Sequence, residues 1–112
     1  LHGDHMYVTS MHSHQVQVYK KSGGACLQSI GSDFYHPRGI AIDNDQIYVA
    51  SQGSHRVHVL NMNGQVLRML GTGQAVHGGG HLCAPTDVAV DGDFVYVSSE
   101  QFYSVEVFKR DG

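Results

Sequence analysis

The stretch His36-Pro37-Arg38-Gly39-Ile40-Ala41-Ile42-Asp43-Asn44-Asp45-Gln46-Ile47-Tyr48-Val49-Ala50-Ser51-Gln52-Gly53-Ser54-His55-Arg56-Val57-His58-Val59-Leu60 reads as three short strands in succession. Pro37-Arg38-Gly39 reads as a turn that releases a strand from Ile40 to Ile42. Asn44-Asp45 turns the chain again, and Gln46 to Ala50 is rich in the β-branched and aromatic residues that strands favour. Gln52-Gly53-Ser54 makes a third turn before a strand from Arg56 to Leu60. Asn63-Gly64 is a strong tight-turn dipeptide, and Gln65 to Leu70 returns before Gly71. Residues 36–71 therefore form one four-stranded antiparallel unit.

The rest of the chain repeats it. Tyr7-Val8-Thr9-Ser10 matches Tyr48-Val49-Ala50-Ser51 at an offset of 41, and Val16-Gln17-Val18-Tyr19 matches Val57-His58-Val59-Leu60 at the same offset. Downstream, Ala84-Pro85-Thr86-Asp87-Val88-Ala89-Val90-Asp91 follows the pattern of Tyr35 to Asp43. Val95-Tyr96-Val97-Ser98 matches Ile47 to Ala50 at an offset of 48, and Val105-Glu106-Val107-Phe108 repeats Val57 to Leu60. A period near 40 with four strands per unit is the signature of a β-propeller blade. The expected fold is all-β. Strands two to four of one blade lie in 1–31, a complete blade in 36–71, a Gly/His-rich insertion loop in 72–84, and strands one to three of a further blade in 85–112.

The wording Pro-x-Gly-Ile-Ala-Ile-Asp, then Ile-Tyr-Val-Ala, then Gly-Ser-His-Arg-Val-His-Val-Leu, closely resembles the NHL repeat. Three departures accompany the likeness. Ser10, Ser51 and Ser99 stand where the family usually has Asp, Asn44-Asp45 replaces a Gly-containing turn, and Gln101-Phe102-Tyr103-Ser104 replaces Gly-Ser-His-Arg. The resemblance implies a six-bladed ring, of which ten strands would be about two and a half blades, so a segment of a longer protein is expected. It also implies a module that recognises protein or RNA, often at the end of a larger protein that carries RING and B-box zinc domains and acts in ubiquitin transfer. A related family of six-bladed propellers, the amidating lyases that cleave peptidyl hydroxyglycine, implies an enzyme alternative with a His-bound metal in the channel.

Near-continuous apolar runs such as Gly39-Ile40-Ala41-Ile42 and Val88-Ala89-Val90 suit strands covered on both faces. Tyr48 and Tyr96 are expected to pack between blades, and Asp43 and Asp91 to close the innermost strands. The formal net charge is −3 with 15% charged residues, which excludes a general polyanion binder by charge alone. No apolar run approaches the roughly 20 residues of a membrane-spanning helix. Cys26 and Cys83 fall in different repeats, which favours a reducing, cytoplasmic compartment.

Strand alternation sorts the loops. The turn between a blade's second and third strands lies on the same end as the loop entering the next blade, and the other two turns lie on the opposite end. Six of the nine histidines, His12, His14, His36, His55, His77 and His81, fall on the first end, with Arg38, Arg56, Gln52, Phe102 and Tyr103. Loops on a rigid scaffold commonly carry binding residues. The candidate binding set is therefore Arg38, His55, Arg56, His12, His14, Gln52, Phe102 and Tyr103. Because His55-Arg56 belongs to the repeat itself, tying its own turn together is the plainer role for that pair. Charging of the histidine-rich end over about pH 7 to 5.5 is expected to modulate binding.

Within the insertion, His77, His81 and Cys83 could offer three zinc ligands, but the spacing fits no common finger and a surface loop is the favoured reading. No Gly-x-Ser-x-Gly and no His-Glu-x-x-His is present. A non-catalytic binding platform without a cofactor is the expected function, with a protein partner favoured over RNA because the basic residues of the loaded end are few.

Overall fold

In the computed structural model, residues 5–10, 15–20, 24, 26–30, 36–43, 45–71, 85–99 and 104–110 are described. Their β-branched runs form ten strands, β1 (His5–Ser10), β2 (Gln15–Lys20), β3 (Cys26–Ile30), β4 (Pro37–Asp43), β5 (Gln46–Ser51), β6 (Arg56–Asn61), β7 (Val66–Leu70), β8 (Asp87–Asp91), β9 (Phe94–Ser99) and β10 (Ser104–Lys109). A 3₁₀ turn, Gln52–Ser54, joins β5 to β6. Among the described residues no helix is long and apolar enough to cross a membrane.

The strands make three antiparallel sheets in chain order, β1-β2-β3, β4-β5-β6-β7 and β8-β9-β10. These are all-β, propeller-type blades. Register keeps Tyr48 opposite Val59 and Ala50 opposite Val57 on one face of the central sheet. Ile47 lies opposite Leu60 on the other face.

Each face buries its own core. Tyr48, Ala50, Val57, Val59 and Leu70 pack against Val88, Val95 and Val97 of the third sheet. Ile47, Val49 and Leu60 pack against Val16, Val18 and Ile30 of the first. Two-faced burial is the physical reason the central strands are apolar at successive positions. Ile47, Tyr48, Val49 and Ala50 are all at most 1% exposed.

Two features differ from the sequence expectation. Pro37-Arg38-Gly39 is already part of β4, with an irregular register between Pro37 and Ile40, so the strand begins before Ile40. Gly39 is required there by close approach: a Cβ on it would lie 2.3 Å from Asp87 Oδ1 and 2.5 Å from the Asp87 Cα. Second, Tyr48 is fully buried between sheets, whereas its repeat equivalent Tyr96 is 37% exposed on the outward face of the third sheet.

Candidate functional site

The end of the central sheet that holds the β5–β6 turn is built around a hydrogen bond from the Gln52 backbone N–H to the His36 carbonyl, 3.2 Å. His55 closes the 3₁₀ turn in the left-handed conformation (φ 57°), its N–H donating to the Gln52 carbonyl. Beneath the turn, Ser54 Oγ donates to Ser51 Oγ at 2.6 Å and lies 3.5 Å from His58 Nε2. Ser51 and His58 are both buried, so this trio braces the turn from inside. The Arg56 guanidinium approaches Met69 Sδ at 3.3 Å and is half-buried. His55 and Arg56 thus hold positions that shape the turn.

Arg38 is placed differently. It is exposed, on the first strand of the central sheet, while its neighbour Pro37 is buried. Its carbonyl accepts a hydrogen bond from Thr9 Oγ1 of β1 at 2.8 Å, which ties the first sheet to the second. On its other side, Gly39 allows Thr86 and Asp87 of the third sheet to close up. The result is an open pocket of about 410 Å³ lined by Thr9, Pro37, Arg38, Gly39, Thr86 and Asp87. All three sheets contribute to it. Asp87 Oδ1 accepts the Val88 N–H at 2.9 Å, so one carboxylate oxygen is held by the backbone beside the pocket.

The chemistry on offer is a guanidinium, a carboxylate and two threonine hydroxyls, a set that binds polar or mixed-charge groups by hydrogen bonds. Among the described residues no group of three His, Cys, Asp or Glu side chains is arranged to hold a metal. His12, His14, Phe102, Tyr103, His77, His81 and Cys83 lie outside the described residues, so Arg38, Gln52, His55 and Arg56 are the sequence-derived candidates placed on this end.

The sequence reading missed Thr9, Thr86 and Asp87. A signal was present in the repeat: at the offset of 48, Asp87 stands where the central blade has Gly39, and Thr86 where it has Arg38. The Asp87 carboxylate lies where a side chain on Gly39 would have stood.

The opposite end is a seam. The Arg110 guanidinium pairs with the Asp43 carboxylate of the neighbouring sheet. That hydrogen bond holds Arg110 protonated above its ordinary range. The Arg110 backbone N–H donates to the Asp93 carbonyl at 2.8 Å.

Residues 34–60 match the family model described as the NHL repeat. No curated protein matches the sequence. Among solved structures, the computationally designed Ika4 protein is similar at 15% identity with a TM-score of 0.71, over 97% of this chain and 62% of that one. The computationally designed Ika8 protein is similar at 15% identity and a TM-score of 0.72, over 98% of this chain and 31% of that one. Kuenenia stuttgartiensis hydrazine synthase is similar at 16% identity and a TM-score of 0.77, over 97% of this chain and 30% of that one. The chain spans less than two thirds of the length of each, and at these identities the likeness is one of fold.

Proposed function

We propose that this NHL-type partial propeller is a non-catalytic binding platform that takes a protein segment at the end carrying Arg38 and the Gln52–Ser54 turn. The observation that carries the reading is the pocket shared by the three sheets, with exposed Arg38 and Asp87 on its wall. A polypeptide presents amide donors and acceptors together with side chains of both signs, which suits a guanidinium facing the same space as a carboxylate. A nucleic acid backbone presents one sign only. It would gain a single arginine here and meet the Asp87 charge and a net charge of −3. The Thr9 hydroxyl, whose proton goes to the Arg38 carbonyl, keeps its oxygen as an acceptor for a peptide N–H.

The test is selection of binders from a random peptide library displayed on phage, using the 112-residue chain as bait, followed by titration of the enriched peptides. Arg38→Ala and Asp87→Ala should each weaken them by about tenfold or more, equivalent to about 1.4 kcal/mol. Lys109→Ala, on the opposite end, should leave them unchanged. Absence of enriched peptides, or peptides indifferent to both pocket substitutions, would contradict the reading. Tight, steeply salt-dependent binding of a single-stranded RNA oligonucleotide would replace it with the RNA alternative.

A further inference from the structure

Asn63-Gly64 lies in the turn between β6 and β7 and is the one Asn-Gly pair in the chain. Asn63 is exposed. Gly64 has φ +89°, in the left-handed region, and carries no Cβ to shield its amide nitrogen. That nitrogen follows Asn63 directly along the chain, so once freed it can reach Asn63 Cγ and close a succinimide ring.

The fold holds this reaction back. The Gly64 N–H donates to the Asn61 carbonyl at 3.0 Å, which keeps its proton in place and turns its nitrogen toward Asn61. The Asn61 side chain closes the turn around the pair. Its Oδ1 accepts the backbone N–H of Asn63 at 2.9 Å and that of Gln65 at 3.0 Å. Its Nδ2 donates to Gln65 Oε1 at 2.8 Å, and the Asn61 backbone N–H donates to the Gln65 carbonyl at 2.9 Å. One side chain therefore grips the residues on either side of Gly64. The same turn meets the first sheet. Ile30 packs over Gly64, with its Cγ1 and Cγ2 each 3.3 Å from where a Cβ would stand, and Gln28 Nε2 donates to the Asn63 carbonyl at 3.5 Å.

We propose that Asn63 is a modification site, converted by water to aspartate and isoaspartate, and that Asn61 is the clamp that sets its rate. The reaction begins when the turn opens locally. The Gly64 nitrogen gives its proton to hydroxide and bonds to Asn63 Cγ, and Nδ2 leaves as ammonia with a proton taken from water. Water then adds to one of the two ring carbonyls. Opening at Cγ gives aspartate. Opening at the main-chain carbon gives isoaspartate, with the chain rerouted through Cγ. The net change is uptake of water and release of ammonia, with no oxidant or reductant. Isoaspartate lengthens the main chain by a carbon, so the Gly64 N–H falls out of register with the Asn61 carbonyl. Ile30 and Gln28 lose the surface they meet, which loosens the first sheet from the central one. The binding end keeps its structure, because the β6–β7 turn lies at the other end of the strands.

The test incubates the 112-residue chain near neutral pH at body temperature, with the same chain in concentrated guanidinium as the unfolded reference. Mass spectrometry follows the tryptic peptide 57–68, which holds Asn61 and Asn63. The folded chain should lose the Asn63 amide at least about tenfold more slowly than the unfolded one. The slowing should match the protection of the Gly64 amide from hydrogen exchange, since both need the same opening. Asn61→Ala should react at least about threefold faster than the wild type, whereas Asn61→Asp, which keeps both accepting bonds, should stay close to it. Amide loss in the folded chain at the unfolded rate, no loss at Asn63 in the unfolded chain, or an Asn61→Ala rate below that margin would overturn the proposal. Where Asn61→Ala lacks a β-rich far-UV spectrum, the wild-type chain decides: slowing that departs from the Gly64 exchange protection contradicts the gated reaction.

Discussion

The Gln52 backbone N–H reaches the His36 carbonyl at 3.2 Å, joining the turn between the second and third strands of the central blade to the segment that leads into its first strand. This bond fixes which loops share an end. It sets Gln52, His55 and Arg38 on one side of the sheet, while the Arg110–Asp43 pair holds the other.

Gly39→Ala should be the most damaging of the glycine substitutions. The added methyl would meet the backbone of Asp87 and the Thr86 carbonyl, 2.9 Å away, as well as a movable carboxylate. The expected loss lies at or above the roughly 1–3 kcal/mol typical of overpacking, and Asp87→Ala should not rescue it because the Cα remains. Gly92→Ala meets open space but has φ +60°, so only the left-handed penalty of about 1–2 kcal/mol is expected. Urea midpoints of the three variants check both figures.

The two cores should behave as separate compartments. Leu60 and Leu70 are each at most 2% exposed but belong to opposite faces of the central sheet. Each Leu→Ala change should destabilise by about 2–5 kcal/mol. The pair should add to within about 0.5 kcal/mol, whereas Leu60→Ala with Ile30→Val, in one core, should show measurable coupling. Denaturant unfolding of the single and double variants decides this.

Arg110→Gln should loosen the third sheet. The Arg110 side chain is 14% exposed and Asp43 42%, so the pair is screened only on one side. Amide exchange should quicken in β8–β10 and stay unchanged in β1–β3. Asp43→Asn should give the same pattern, and about 1 M salt should shrink the difference from the wild type.

Burial pushes the Tyr7 phenol above its ordinary value of 10.0. Below that value the phenol is neutral in both states and contributes no pH dependence. Above it the unfolded chain releases its proton first, so stability falls as pH rises toward the folded value. Comparing wild type with Tyr7→Phe at about pH 8 and about pH 11 should show a smaller alkaline loss in the variant.

The strand pattern and the blade faces were legible because burial leaves a mark on residue type: alternation between two apolar faces makes Ile47-Tyr48-Val49-Ala50 read as a covered strand. The sorting of loop ends followed from chain direction alone, and the His36–Gln52 bond agrees with it. Gly39 was read as a turn residue because nothing in a single chain's local pattern reports a neighbouring strand at 2.5 Å. The same limit hides Thr9, while Thr86 and Asp87 show only as departures from Arg38 and Gly39 in the repeat, with nothing local to say that they meet. Ser51, Ser54 and His58 were also missed as a unit, since a buried polar trio uses residue types that equally suit an exposed turn.

Residue-resolved amide hydrogen exchange on the 112-residue chain tests the account most directly, because its central claim is that the middle sheet is covered on both faces by its two neighbours. The account predicts the slowest exchange in β5 and β6, around Tyr48, Val49, Val57 and Val59, with β3 and β10 faster. Uniform protection across the three sheets, or faster exchange in β5 and β6 than in β10, would contradict it.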